Sequence, residues 1–368
     1  MDYYLFIIII IIIIVFLYTK YTKYIKYHQS EKPQSLTYCK HGDNKNNSIL
    51  QEVLDNNHIV KNNYNWDIYI PSSYTHIETE LIKLVVNNPQ QKIFGISGCD
   101  KMVAKDNLWY FFRKKLGRKE TIKYLPITYI LKNPTDIKLF NKEYNPKTIY
   151  LLKKNIQRKL GIKLTRDKDE IMRGDKKGYV VAQQYIENLY LINNRKINLR
   201  IYLFVISKDG VNSWYISKLG KCIYTNKDYK KDDSLKDPEV HLTSLNLSKD
   251  IYKILPLSLQ GLRQYLGDSD YNRLFKRIIN LMKKCKYVFN DLLGSTQNTN
   301  THFQLFGVDI VFTDLMMPYL LELNKGPQMS PINKLDHQIK TKIYSDIFNL
   351  VGIHLKDINK NKNSFIKI

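Results

Sequence analysis

The residues whose types and spacing could do chemistry lie in Gly307-Val308-Asp309-Ile310-Val311-Phe312-Thr313-Asp314-Leu315-Met316-Met317-Pro318-Tyr319-Leu320-Leu321-Glu322-Leu323-Asn324. Two apolar runs flank a short polar, proline-bearing interruption, the pattern of an antiparallel hairpin. With the turn centred between Leu315 and Met316, Asp309 falls opposite Glu322 and Gly307 opposite Asn324. Side chains alternate faces along a strand. One face then carries Val308, Ile310, Phe312, Tyr319, Leu321 and Leu323 as core, and the other Asp309, Glu322 and Asn324. Two carboxylates opposed across a ladder repel, and a bound cation relieves them. Asp, Glu and Asn offer only hard oxygens, with no His or Cys nearby, which suits magnesium rather than zinc or copper. Magnesium held by a few carboxylates shares its shell with substrate phosphates, so the hairpin reads as a nucleotide-metal site; taken alone it is equally a solvated hairpin face with scattered acids.

Two further stretches could hold phosphates. In Lys196-Ile197-Asn198-Leu199-Arg200-Ile201-Tyr202 the odd positions are apolar, and Lys196, Asn198 and Arg200 share the other face. Lysine supplies a point charge and arginine a bidentate fork, which makes a polyphosphate cradle; taken alone it is equally a solvent-facing strand. The strand Thr148 to Lys153 delivers Lys153 into a basic loop with one glycine, Gly161, before a second strand from Ile162 to Thr165. That loop could close over phosphates, although it lacks Walker spacing; the plainer alternative is a basic hairpin tip.

The elements that must position these residues alternate in type, which suggests α/β or α+β packing. Ordered segments begin at Trp66 to Ile70 and Leu81 to Val86, with a strand from Lys92 to Ser97. Helical periodicity follows at Asp106 to Leu116, Pro134 to Glu143, Asp270 to about Leu293 and Leu335 to Val351. Strands are expected at Leu125 to Leu131, Tyr179 to Ile186, and Ile197 to Ser207 with a hairpin partner at Ser213 to Lys218 across Asp209-Gly210. Lys227 to Glu239 reads as a charged loop, and no internal repeat is apparent.

At 368 residues and 43% hydrophobic composition the chain can build real cores, and its formal charge of +24 points to an acidic partner. No motif of the usual nucleic-acid modules is present. The four cysteines, Cys39, Cys99, Cys222 and Cys285, are far apart, which excludes a zinc ribbon and argues for free thiols in a reducing compartment. Residues 3–18 form an apolar run with eight consecutive isoleucines, followed by Lys20, Lys23 and Lys26. That pattern predicts a membrane anchor in residues 1–20, with the bulk of the protein facing the cytosol. Residues 21–64 read as a polar tether, residues 65–355 as the folded domain and residues 356–368 as a fraying basic tail.

Read in order, Lys105-Asp106, Leu125-Pro126-Ile127-Thr128-Tyr129-Ile130-Leu131, Leu152-Lys153, Val181-Ala182-Gln183-Gln184-Tyr185-Ile186, Lys196 to Tyr202, His241-Leu242-Thr243-Ser244, Phe306 to Ile310 and Leu321-Glu322-Leu323-Asn324-Lys325-Gly326-Pro327 resemble the tubulin-tyrosine ligase-like family, with its ATP-grasp fold. The resemblance runs from about Ile93 to Val351. It implies an α+β architecture of N-terminal, central and C-terminal subdomains. It also implies that Lys153, Lys196 and Asn198 meet ATP, with Arg158 on the closing loop, and that Gln183, Tyr185 and Ile186 form the adenine hinge. Thr243 and Ser244 would lie near the nucleotide, Arg200 and Lys196 at the transferred phosphate, and Asp309, Glu322 and Asn324 on two magnesium ions. Family members phosphorylate a carboxylate of an acidic protein tail such as that of tubulin, and a free amino acid then displaces the phosphate. Glutamate is the first donor the resemblance suggests, with tyrosine and glycine as others.

Three positions depart from the family pattern. Asn198 stands where Asp is usual and Ser244 where Asn is usual. In Leu219-Gly220-Lys221-Cys222-Ile223 the family has an arginine for the donor amino acid at the place of Ile223. Either Lys221 or Lys218 replaces it, or the donor differs, or the chain is a degenerate module that binds ATP or acidic tails without ligating.

Overall fold

The computed structural model describes residues 14–20, 35–41, 46–156, 161–230, 235, 237–294, 299–355 and 363–368. Two sheets carry the fold, and the α+β class expected from the sequence is observed. The larger is ten-stranded and mixed. At its centre the strand Arg195–Lys208 pairs antiparallel with Val211–Tyr224 on one side and Thr301–Phe312 on the other. Thr301–Phe312 is shared by two neighbours. Its first residues run parallel to Lys92–Phe94, and its last pair antiparallel with Pro318–Asn324. The smaller sheet is antiparallel, in the order Thr128–Ile130, Val181–Gln184, Tyr150–Lys153, Ile162–Thr165.

Alternation along Arg195–Lys208 decides where the core and the cleft lie. Ile197, Leu199, Ile201, Leu203 and Val205 are buried against the helices Lys105–Leu116 and Asp268–Phe289. The long helix buries Leu274, Ile278, Leu281, Met282, Cys285, Val288 and Phe289 at helical spacing, each large apolar side chain contributing about 1.5–3 kcal/mol of transfer free energy. On the opposite face Lys196, Asn198 and Arg200 line a cleft. Further along that face Tyr202 and Phe204 pack under the helix Lys334–Leu350.

Several expectations are corrected. Residues 37–61, assigned to the tether, contain the strands Thr37–Cys39 and Val60–Lys61 and the helix Ser48–Asn56. Their apolar residues Ile49, Leu50, Val53 and Leu54 fill the core beneath Tyr344, Ile347 and Phe348, partners too distant in sequence for local periodicity to reveal. Phe365–Lys367, assigned to the tail, adds an edge strand against Val211–Tyr224. Membrane anchoring is overturned: among the described residues no helix is long and apolar enough to cross a membrane. Only residues 14–20 of the N-terminal run are described as helix, and residues 1–13 lie outside the described residues. Sixteen apolar residues would span only about 24 Å as a helix, short of a hydrocarbon core of about 30 Å. The four cysteines are free and buried.

Candidate active site

The hairpin forms at Thr301–Phe312 and Pro318–Asn324, with Asp309 opposite Glu322 and Gly307 opposite Asn324 as the sequence predicts. Between Asp309 and Ile310 the register slips by one, so Ile310 faces Leu320 rather than Leu321. A one-residue slip exchanges the two faces of a strand. Leu320 therefore enters the core, while Tyr319 and Leu321, expected there, pack on the other side with Val311. Leu321 becomes part of the cleft wall.

The cleft, of about 1240 Å³, gathers side chains from both sheets. Lys153 from the small sheet, Lys196, Asn198 and Arg200 from the central strand, and Thr243 and Ser244 from the loop after His241 all line it. So do Asp309, Glu322 and Asn324. Gln183 stands behind Lys153, accepting a hydrogen bond from its Nζ at 2.6 Å and donating to Thr128 Oγ1 at 3.0 Å. Tyr185 serves as a platform: Lys196 Nζ lies 4.8 Å from its ring centre and donates to the His241 carbonyl at 3.2 Å. Neither Tyr185 nor Ile186 lines the cleft; both pack in the cluster of Leu189 and Val311. Arg158 lies outside the described residues.

Charge inside the cleft is tightly coupled. Arg200 is the direct cross-strand neighbour of Asp309, and its guanidinium donates from Nε at 2.5 Å and from a terminal nitrogen at 2.9 Å to the two carboxylate oxygens. A side chain on Gly307 would meet Pro327 at 2.9 Å and Arg200 Cδ at 3.1 Å, so glycine there makes room for the fork. Burial disfavours the guanidinium's charge, but Asp309 overrides it and raises the Arg200 pKa. Burial and Glu322 push the Asp309 carboxyl above its ordinary value against the pull of Arg200. Burial also acts to raise Glu322, yet Lys105 and Lys153 hold it below its ordinary value. Burial pushes the Lys153 ammonium down to about 8 against the pull of Glu322.

These directions test the fit of a metal. Asp309, Glu322 and Asn324 line the same cleft and offer carboxylate and amide oxygens, with Asn324 Nδ2 donating to Glu322 Oε1 at 3.3 Å. Burial first, and Glu322 after it, make the Asp309 carboxyl hold its proton more firmly than an ordinary aspartate. A hard divalent cation fits a buried pair of facing carboxylates beside an amide oxygen. A metal would not be alone in relieving the repulsion of the two carboxylates, because Arg200, Lys105 and Lys153 already supply part of the positive charge.

Lys105 was not assigned a role from the sequence. It opens the helix Lys105–Leu116, reaches Glu322 Oε2 at 3.8 Å and donates to the Ile156 carbonyl at 3.2 Å. A cation in a helix's first turn opposes the helix dipole, and that oddity was the available signal. Asn155 ties the loop after Lys153 to the same helix, accepting from the Lys105 amide and donating to Asp106, both at 2.9 Å.

Ile223 pairs directly with Asn198, and Lys221 with Arg200. Lys221 lines the cleft and lies 3.4 Å from Asp336, which also binds Lys340 at 2.8 Å. Lys218, the other cation considered in place of the missing arginine, is exposed and does not line the cleft. Ser244 takes a left-handed backbone at φ 59°, an uncommon conformation that turns the loop into the cleft wall.

A cleft between two sheets, with lysines from both and a hard-oxygen hairpin at its floor, places the chain in the ATP-grasp-like class of folds. The chain belongs to the tubulin-tyrosine ligase family, whose model matches residues 83–361, and is therefore a ligase by family. Among curated relatives, it is 32% identical over 295 residues to the probable tubulin polyglutamylase ttll-9 of Caenorhabditis elegans, covering 71% of this chain and 68% of that protein. It is 27% identical to the probable alpha-tubulin polyglutamylase Ttll1 of Tetrahymena thermophila, over 68% of this chain and 65% of that protein. It is 26% identical to the mouse tubulin monoglutamylase TTLL4, covering 74% of this chain but 25% of the relative.

Proposed function

We propose that the folded part of the chain, with residues 37–61 and 365–367 included, is an ATP-dependent ligase that joins an amino acid, glutamate first among donors, to a carboxylate on an acidic protein tail such as that of tubulin. The carrying observation is the convergence of Lys153, Lys196 and Arg200 with the oxygens of Asp309, Glu322 and Asn324 on one cleft. In this reading Lys153 and Lys196 bind the ATP phosphates. Thr243 and Ser244 border the nucleotide, Gln183 fixes Lys153, and Tyr185 supports Lys196. Asp309, Glu322 and Asn324 would hold magnesium, one or two ions, which neutralises charge on the phosphates. Arg200, its fork held by Asp309, would steady the phosphoryl group as it passes to the acceptor carboxylate, a transfer that needs positioning and charge neutralisation more than covalent help. The donor's amino group then attacks the acyl carbon, an amide bond forms, and phosphate leaves.

The test is intact mass spectrometry of acidic tubulin-tail peptides incubated with the chain, Mg-ATP and mixed amino acids. A discrete mass increment, absent with Glu322→Gln, supports ligation and names the donor. A second reading, ATP binding without ligation, is favoured by one observation: Asn198 Oδ1 is buried without a hydrogen-bond partner, opposite the apolar Ile223. ATP binding with no increment on any acidic tail, and activity gained by Ile223→Arg, would favour that reading.

A further inference from the structure

The net charge of +24 is unevenly distributed. Beside the small sheet, Lys163 and Lys177 share Glu170, and in the closing helix Lys340 and Lys342 pair with Asp336 and Asp346. Two other helical segments carry few acids of their own. Between Asp270 and Asp291 the long helix carries Arg273, Lys276, Arg277, Lys283, Lys284 and Lys286 and no acid at all. From Arg113 to Lys123 the chain carries six cations against one acid, Glu120; Arg113 and Arg118 pair with Asp136 and Glu143 of the neighbouring helix, which leaves the lysines to set the charge of the outer face. A general excess of lysine in the chain does not explain why the acids are missing here.

These segments pack into one face. Phe111 and Phe112 meet Phe289 with ring centres 6.1 and 5.9 Å apart, and Lys284 reaches across to Glu120 at 3.8 Å. Glu120 is taken up by Lys123 and Lys284, and Asp291 by Lys115. Lys119, Lys276 and Lys283 are exposed and, among the described residues, make no ion pair. Because the apolar side of the central strand packs on the long helix, this face lies behind the sheet from the cleft. It meets the cleft's rim along the helix Lys105–Leu116. Lys105 is 3.8 Å from Glu322, and Lys115 stands ten residues further on, about 15 Å away along the helix. About five extended residues cover that distance.

We propose that this two-helix face docks the acidic polypeptide stretch that flanks the acceptor residue, while the acceptor itself occupies the cleft. The proposal rests on the ligase reading. Lysine charges on flexible stems suit carboxylates at irregular spacing. The exposed rings of Tyr110 and Tyr287 each have a lysine ammonium near one face, at 5.9 and 5.7 Å from the ring centre, which competes with a stacked base for that face. Opposite charge also draws such a segment in before it contacts the cleft.

The test compares the full chain with the triple variants Lys119→Glu/Lys276→Glu/Lys283→Glu and Lys119→Gln/Lys276→Gln/Lys283→Gln. The probes are labelled triglutamate, a polyglutamate peptide of about twelve residues, long enough to span cleft and face, and single-stranded DNA of equal charge. The unaltered chain should bind the long peptide about tenfold or more tighter than triglutamate, by an amount that shrinks as salt rises. The Glu variant should lose that length advantage and the Gln variant part of it, with melting temperature and ATP binding kept. A length advantage retained by both folded variants overturns the docking surface. DNA bound as tightly and lost to the same degree overturns its assignment to polypeptide. If the unaltered chain shows the length advantage but ligates nothing, the ligase reading fails and the docking surface stands.

Discussion

Lys153 and Lys276 carry the same ammonium group in opposite surroundings. Lys153 is 6% exposed, bonded to Gln183 and sharing the field of Glu322, whereas Lys276 projects from the long helix into solvent. In the cleft, burial makes each charge depend on its neighbours, so removing one leaves another uncompensated. On the back face, water and salt screen the charges, and each adds a little to a shared field. One protein thus holds cations in fixed, mutually dependent positions on one side of its sheet and spreads them in a screened field on the other.

The contrast can be broken or sharpened by substitution. The largest expected effect is that of Glu322→Gln, which should lower ATP-dependent ligation about a thousandfold or more while the chain stays folded, read by mass spectrometry beside a thermal melt. Near-normal turnover would remove the hairpin from the chemistry. Arg200→Ala should cost about 3–5 kcal/mol of stability in a denaturant titration, because it strands the Asp309 carboxylate, only 13% exposed, without its fork. A loss below about 1 kcal/mol would mean the pair behaves like a surface bridge. Lys153→Met should weaken Mg-ATP binding by about 10- to 100-fold, the usual worth of a charge-assisted contact to phosphate, measured by calorimetry. Unchanged affinity would place the phosphates elsewhere. Lys276→Ala alone should move stability by less than about 0.5 kcal/mol; a larger shift would show that the back face is a packed structural element and not an open one.

The most legible part of the site was the hairpin. Period-two alternation and a short polar turn placed Asp309 opposite Glu322, and the ladder has that register. The same alternation separated Lys196, Asn198 and Arg200 from the apolar side of their strand, and helical periodicity marked Pro134–Glu143 to the residue. These signals are local, because one element's own repeat carries them. The one-residue slip beyond Asp309 was not legible, since nothing in the run Tyr319-Leu320-Leu321 distinguishes which leucine should face in. Competition between the two faces for burial decides it.

What the sequence determined by itself was therefore the element types, the face each strand shows, the chemistry of the donor set and, through ordered motifs, the family. What only the tertiary structure decided was which charges meet. Arg200 reaches Asp309 across 109 positions of sequence, Lys105 reaches Glu322, and Ile223 comes to lie beside Asn198. The helix Ser48–Asn56, in a stretch that reads as a polar tether, became core because Tyr344 and Phe348 cover it. Local periodicity follows from backbone geometry that every residue shares, whereas a contact between distant segments depends on how whole sheets pack, and no short window of sequence contains that information.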